Sequence, residues 1–270
     1  MVTQKIRVNP NLRLNVFDSG TQKKYDTDLT VIFIHGAAGS LLNWKYQLGY
    51  FSEKYRTVAY DWRGCGHSGE ALSYTFDDHY DDFLKLMEIL NISNKVILVS
   101  HSYGGLIAQR YIRDYGADKF VSVSLGLDSG VGLFLRLLLN LPRFLQIPIY
   151  RCCLMPKNPF LTKRLVASKK TPVAKVREAL ADNKLPSLDF CLGLKTFRKK
   201  ESLEWMKSYQ EKMLVISGRE DKRMKAKHIK RINQFLPEVK VEIIQDAGHI
   251  VSYENPEYFN NLIEAFIENR

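Results

Sequence analysis

The sequence is short of cysteine, and the few it has are poorly spaced for a metal site or a disulfide framework. Only Cys65, Cys152, Cys153 and Cys191 occur in 270 residues, and an adjacent pair suits neither use. A reducing, cytoplasmic setting is therefore the expectation. Long apolar runs are missing as well. The first 18 residues alternate charged and apolar side chains and hold no stretch of signal-peptide length. The most apolar segment, Val131 to Met155, is broken by Arg136, Asn140, Pro142, Arg143, Pro148 and Arg151. A membrane-spanning helix needs roughly 20 largely uninterrupted apolar residues, so none is expected. There is no internal repeat, no low-complexity stretch and no dinucleotide-binding G-x-G-x-x-G. No glycine-rich loop is followed by the Lys-Ser/Thr of a phosphate loop. Neither cofactor nor metal is expected.

Acidic residues are missing over one long segment. Between Ser129 and Arg177 there are ten basic residues and no acid. Residues 129–212 hold 17 Lys+Arg against 6 Asp+Glu, which accounts for the whole net charge of +11; the rest of the chain balances at 23 of each. A net charge of this size suggests a nucleic-acid or membrane-surface partner. A nucleic-acid binder would need interleaved aromatics or a recognised module. The basic segment has few aromatics near its charges and no such module, so no nucleic-acid partner is expected. The hydrophobic and charged fractions, 45% and 26%, are those of a folded globular chain, and 270 residues suit one large domain.

What is present is a rhythm of short apolar runs and helical patterns. Leu12–Phe17 alternates like an antiparallel strand. Thr30–Ile34, Arg56–Tyr60, Lys95–Val99, Phe120–Leu125, Met213–Ser217 and Val239–Ile244 read as strands, several covered on both faces. Helical spacing recurs in Phe76–Leu90, Leu106–Tyr115, Ala226–Phe235 and Pro256–Ile267. Alternating strands and helices predict an α/β fold, a mostly parallel sheet with helices on both faces. Residues 130–210 break the rhythm with six prolines and no clear strand. They read as a helical cap inserted between two core segments, with boundaries at 1–128, 129–211 and 212–270.

In a parallel sheet, sites gather at the carboxyl ends of strands. Four of those ends carry suggestive residues. Ser100-His101-Ser102-Tyr103-Gly104-Gly105 suits a serine on a sharp strand-to-helix turn, or a helix N-cap in a glycine-containing turn. His35-Gly36-Ala37-Ala38-Gly39-Ser40 suits a loop that brings backbone N–H groups close to a nucleophile, or a plain turn. The N–H groups of Ala37 and Tyr103 are the expected oxyanion donors. Asp246-Ala247-Gly248-His249 places a histidine late in the chain, where a general base would follow a serine and an acid. Gly218-Arg219-Glu220-Asp221 offers the acid that would orient it. Asp221 is the choice, with Glu220 and Asp128 as alternates.

Together with His35-Gly36, Gly39-Ser40 and Trp44, with Asp61-Trp62-Arg63-Gly64-Cys65-Gly66-His67-Ser68, and with Glu254 and Pro256, these motifs resemble the α/β-hydrolase fold superfamily. The overall pattern is similar to its esterase and lipase-like members. The resemblance covers about residues 29–128 and 212–268 and leaves out the insertion. It implies Ser102 as nucleophile, Asp221 as acid, His249 as base, and Ala37 and Tyr103 as oxyanion donors. It also implies cleavage of a small-molecule ester through an acyl-serine. Amide, thioester or carbon–carbon bond hydrolysis, and a non-catalytic binding protein on the same fold, stay open. Relatives that open epoxides use an aspartate where this chain has Ser102. One departure concerns the elbow, which reads S-x-S-x-G rather than G-x-S-x-G; backbone strain at Ser100 is the expectation. The cap's apolar run with its arginines reads in three ways. It packs on the core with its cations in solvent, contacts an anionic membrane peripherally, or holds an anionic group of the substrate.

Overall fold

The computed structural model describes residues 1–93, 95–126, 141–142, 144–145, 163–164, 166–181, 183, 187–197 and 203–269. In chain order the main elements are β1 (Gln4–Asn9), β2 (Leu12–Asp18), β3 (Thr30–Ile34), α1 (Lys45–Phe51), β4 (Arg56–Tyr60) and α2 (Phe76–Ile89). There follow β5 (Val96–His101), α3 (Gly104–Tyr115), β6 (Lys119–Val123), α4 (Val173–Leu180) and α5 (Leu188–Gly193). The chain ends with β7 (Met213–Gly218), α6 (Ala226–Phe235), β8 (Lys240–Ile244), α7 (Val251–Glu254) and α8 (Pro256–Ile267). The eight strands form one sheet in the order β1-β2-β4-β3-β5-β6-β7-β8. β1 and β2 pair antiparallel, β2 pairs antiparallel with β4, and every other pairing is parallel.

The all-apolar strands follow from burial on both faces. In β3, Val31 and Phe33 point to one side, with Trp44, Leu48 and Phe51 from the α1 region and Phe259 and Ile263 from α8. Ile32 and Ile34 point to the other, with Phe83 and Leu86 of α2 and Ile107 and Tyr111 of α3. Successive residues of a strand face opposite ways, so one run of sequence feeds two cores. Burying each such large side chain contributes about 1.5–3 kcal/mol. This is why the middle of β3, Val31 to Phe33, and of β5, Ile97 to Val99, is wholly apolar.

Local signals set the helix boundaries. Thr75 caps α2 by accepting from the Asp78 N–H, while the Asp78 side chain accepts from the Thr75 N–H. Pro256 opens α8, where its missing N–H costs nothing. β1 is a strand the sequence pattern does not separate: only Ile6 and Val8 turn inward, and the rest of this edge faces solvent.

The insertion is described only in part. The expected domain boundary at 129 and most of the apolar run 131–155 lie outside the described residues, as does Asp128. Where it is described, the insertion is helical and packs on the carboxyl end of the sheet. Phe190 of α5 is buried against His79, with ring centroids 5.7 Å apart, and against Tyr74 at 5.9 Å. Among the described residues no helix is long and apolar enough to cross a membrane.

Candidate active site

The turn after β5 is the sharpest feature of the sheet's carboxyl end. Ser102 sits at φ 49°, in the left-handed region that side chains with a Cβ avoid. Backbone strain of this kind costs on the order of 1–2 kcal/mol. Surrounding bonds hold it: the Ser102 N–H donates to the Val123 carbonyl at 2.8 Å, and the Gly105 N–H donates to the Ser102 carbonyl at 2.9 Å. α3 begins two residues later, so its first N–H groups lie beside the serine. The strain expected at Ser100 is not there. Ser100 remains in the β5 ladder, paired with Ile34 and Ser122, and the reversal falls wholly on Ser102.

The loop after β3 lies against this turn. A Cβ added at Gly36 would stand 3.0 Å from His101 Nδ1 and 3.2 Å from Ser102 Cβ, so a larger residue would push the two loops apart. Ala37 follows Gly36 outside the β3 ladder, and Ala38 takes φ 61°. His35 anchors the loop from below. Its Nδ1 donates to the Gly36 carbonyl at 2.7 Å, and its Nε2 accepts the Trp62 N–H at 3.1 Å. Burial lowers the His35 pKa, which fits the neutral ring these two bonds require.

The loops after β7 and β8 bring acid and base together. His249 Nδ1 lies 2.9 Å from Asp221 Oδ2, and both side chains are buried. The other oxygen, Asp221 Oδ1, accepts from the N–H groups of Arg223 at 2.7 Å and Met224 at 3.0 Å. Burial works against the charge on Asp221. The His249 hydrogen bond and charge, with the two backbone donors, outweigh it and hold the carboxyl well below the usual carboxylate range. An ionised Asp221 fixes the proton of His249 on Nδ1 and leaves Nε2 free to act as a base. Glu220, the first alternate, turns away: its carboxylate accepts from Ser168 Oγ at 2.7 Å and the Lys169 N–H at 3.0 Å.

His101 joins the base to the serine turn. Its ring centroid lies 4.7 Å from that of His249, and its Nε2 donates to the His249 carbonyl at 2.8 Å. Burial, then the facing His249, push the His101 pKa down to about 3, so this ring is neutral structure rather than a second base. Asp221 is thus hydrogen-bonded to His249, the His249 ring packs on that of His101, and His101 immediately precedes Ser102, whose turn lies against Gly36 of the loop that carries Ala37. Among the described residues Ser102 Oγ makes no hydrogen bond to His249. Such contacts are often loose before substrate closes the site.

Two residues named in the sequence motifs carry roles that the sequence did not assign. His35 has no signal beyond being the first residue of a small-residue loop. Glu254 has a weak one, its spacing after His249. Its carboxylate accepts from the Gly248 N–H at 2.7 Å and from two groups of the insertion, the Ser168 N–H at 2.6 Å and Thr171 Oγ1 at 2.5 Å.

A family model described as alpha/beta hydrolase fold matches residues 30–256. Among curated proteins, Epoxide hydrolase 1 of Caenorhabditis elegans is 33% identical over 107 residues, 38% of this chain and 25% of that protein. The dihydrolipoyllysine-residue acetyltransferase component of the acetoin cleaving system of Pseudomonas putida is 26% identical over 248 residues, 88% of this chain and 63% of that protein. Protein ABHD8 of Mus musculus is 25% identical over 256 residues, 91% of this chain and 56% of that protein. The chain spans less than two thirds of the length of these curated relatives. Among solved structures, an esterase from Thermogutta terrifontis superposes with TM-score 0.78 at 16% identity, over 100% of this chain and 99% of that one. A bromoperoxidase from Bacillus anthracis gives 0.76 at 22% identity, over 99% of this chain and 100% of that one. At such identities the likeness is one of fold. The family match over residues 30–256, the mostly parallel sheet and the loops gathered at its carboxyl end lead to one conclusion: the chain belongs to the alpha/beta hydrolase family.

Proposed function

We propose that the protein is a serine hydrolase that cleaves a carboxylic ester by acyl transfer to water. One observation carries the reading: a histidine paired with a buried aspartate packs its ring on His101, and the next residue, Ser102, is held on a left-handed strand-to-helix turn. Ser102 Oγ attacks the ester carbonyl while His249 Nε2 takes its proton. The N–H groups of Ala37 and Tyr103 stabilise the oxyanion. Each such donor is typically worth roughly 3–4 kcal/mol in the transition state. His249 then protonates the leaving alcohol, and water releases the acyl group by the same route. The esterase among the similar folds supports an ester as substrate. Epoxide opening fits less well despite the C. elegans relative, because the nucleophile position holds Ser102 and not an aspartate.

The test is covalent labelling with a fluorophosphonate probe, with turnover of short p-nitrophenyl esters beside it. Labelling and turnover by the wild type, both lost in Ser102→Ala, are expected. An unreactive wild type, or a Ser102→Ala protein that still labels, overturns the reading. Labelling without ester turnover moves the reaction to amide, thioester or carbon–carbon substrates.

The mouth of this site supports an anionic partner in the same reading. Lys169, Lys170, Lys222, Arg223, Lys225 and Lys227 are exposed around the loops that carry Asp221 and His249. The charge of Arg223 reaches His101 and Tyr103. We take the insertion as a cap whose cations, with these, meet an anionic membrane surface peripherally. Cations near such a surface contribute about 1 kcal/mol each. Sedimentation with anionic but not neutral vesicles is expected; equal binding to both removes the electrostatic part.

A further inference from the structure

The insertion meets the acid loop through Glu220, which holds Ser168 and Lys169, and it meets the base and oxyanion loops at two further places. On the base side, the His249 N–H donates to the Val166 carbonyl at 2.7 Å. A Cβ at Gly248 would stand 2.7 Å from the Ala167 carbonyl carbon, so residues 166–167 lie flat against the base loop. Ser168 and Thr171 are buried there. Glu254 closes the contact, holding the Gly248 N–H with one carboxylate oxygen and the Ser168 N–H and Thr171 Oγ1 with the other. Its own backbone carbonyl accepts from Lys175 Nζ at 3.0 Å. On the oxyanion side, Asn43 Oδ1 accepts the Ser40 N–H at 2.9 Å, and Asn43 Nδ2 donates to the Ala179 carbonyl of α4 at 2.8 Å. The same stretch of cap, residues 166–181, therefore reaches from the loop of His249 to the loop of Ala37. A further tie, Lys45 to Glu178 at 2.7 Å, is exposed, and pairs of that kind are worth little. Beside the backbone bond from His249 to Val166 and the Glu220 bonds to Ser168 and Lys169, the side-chain hold on the base and oxyanion loops comes from Glu254 and Asn43.

We propose that Glu254 and Asn43 are positioning residues, and that residues 166–181 are a brace through which they hold His249 and the Ala37 loop in catalytic register. The inference rests on the serine-hydrolase reading for its consequence but not for its geometry. A partly buried carboxylate that accepts three hydrogen bonds fixes the groups that donate them. Two of those donors belong to the brace, and the third is the backbone of the residue before His249. Removing it frees the base loop to drift, and misplacement by about 1 Å costs on the order of a hundredfold in rate.

Five variants test this, the single changes Glu254→Ala, His249→Ala, Thr171→Val and Asn43→Asp and the double Glu254→Ala/His249→Ala, with kcat, KM and thermal midpoint measured on each. Glu254→Ala is expected to lower kcat by about a hundredfold with KM nearly unchanged. In a His249→Ala background the same change is expected to cost nothing more, because it acts through His249. Thr171→Val removes a single hydrogen bond at constant volume. It keeps the test open if Glu254→Ala fails to fold, and a smaller kcat loss of the same kind is expected. Asn43→Asp keeps the acceptor for the Ser40 N–H and loses the donor to Ala179, so kcat should fall with the base loop intact. A fall in thermal midpoint with kcat unchanged, or a rise in KM alone, overturns the proposal. A second readout does not depend on turnover. The hydrogen bond from His249 to Asp221 should give a downfield imidazole N–H proton resonance, assigned by its loss in His249→Ala. It should vanish in Glu254→Ala and persist in Asn43→Asp. Persistence in Glu254→Ala overturns the brace even for a protein that turns over no ester, whereas an unreactive wild type overturns only the functional reading.

Discussion

Asp61 follows β4 and Asp221 follows β7, and both carboxylates are buried with both oxygens hydrogen-bonded. Asp61 Oδ1 accepts the Leu41 N–H at 2.6 Å, while Oδ2 accepts from Asn15 Nδ2 at 2.9 Å and the His67 N–H at 2.8 Å. Its partners come from the hairpin strand β2, from the segment after the Ala37 loop and from its own loop. All three bonds tie segments of the framework to one another. Asp221 also uses one oxygen on its own loop, but the other ends on an imidazole that packs on His101, the residue before Ser102. The difference lies in where the last hydrogen bond leads. The Asp61–Ser68 motif is among the most family-specific runs in the sequence, yet its aspartate holds framework segments together. A conspicuous motif marks a demanding backbone as readily as it marks chemistry.

The comparison breaks first at Asp221. In Asp221→Asn the side-chain oxygen can keep the Arg223 and Met224 N–H groups, which turns the amide NH2 toward His249 Nδ1. That ring nitrogen must then accept, so Nε2 carries the proton and cannot act as base. A kcat loss of about 10⁴-fold per folded molecule is expected, the scale seen when a triad aspartate is replaced by asparagine. Ester turnover of the purified, folded variant measures it. A loss of tenfold or less would place Asp221 with Asp61 among the structural carboxylates.

Asp61→Asn should fail in the other way. The amide supplies one oxygen where the carboxylate supplied two, so either the Leu41 N–H or the pair from Asn15 and His67 meets another donor. Leaving such a buried group unmatched costs roughly 1–3 kcal/mol. For a chain of this size that lowers the thermal midpoint by about 2–4 °C for each kcal/mol. Activity per folded molecule should stay within severalfold of wild type. Loss of turnover on the Asp221→Asn scale, in a protein that remains folded, would show that Asp61 acts on the reaction through Leu41 and the loop before it.

What the sequence made legible follows the same divide. The central strands were plain because both faces are buried, and TVIFI can be little else. Ser102, His249 and Asp221 could be picked out because each follows a strand, and the parallel sheet gathers strand ends. Glu254 is visible as part of the pattern after His249, but its role is not. Its partners Ser168 and Thr171 stand 86 and 83 residues earlier, inside an insertion without a legible pattern. Asp61 was visible as a motif, but its role depends on Asn15 and Leu41, which no local spacing links to it. β1 was lost for a different reason: two inward residues on an edge strand are too few to establish an alternation. Local rules recover elements and their ends, and they miss hydrogen bonds between segments distant in sequence.

Ser100 gives the smallest test, because it is a polar residue at a strand end that serves neither purpose. It is fully buried, and its Oγ has no hydrogen-bond partner among the described residues. The backbone there is ordinary strand, so the serine is not needed to make the turn at Ser102. Ser100→Ala removes an unsatisfied buried hydroxyl and keeps the Cβ, so a gain of about 1 kcal/mol is expected. Ser100→Gly removes the same hydroxyl but pays backbone entropy in a strand, about 0.5–1 kcal/mol, and should come out near wild type. Neither change should alter kcat, since the strain sits two residues on and is held by Val123 and Gly105. Denaturant midpoints for the two variants, with turnover measured beside them, separate the cases. A loss of stability in Ser100→Ala would mean the hydroxyl has a partner such as a bound water. A loss of kcat would mean that the fifth residue of β5 helps shape the elbow after all, and that the line between architecture and chemistry runs through β5 itself.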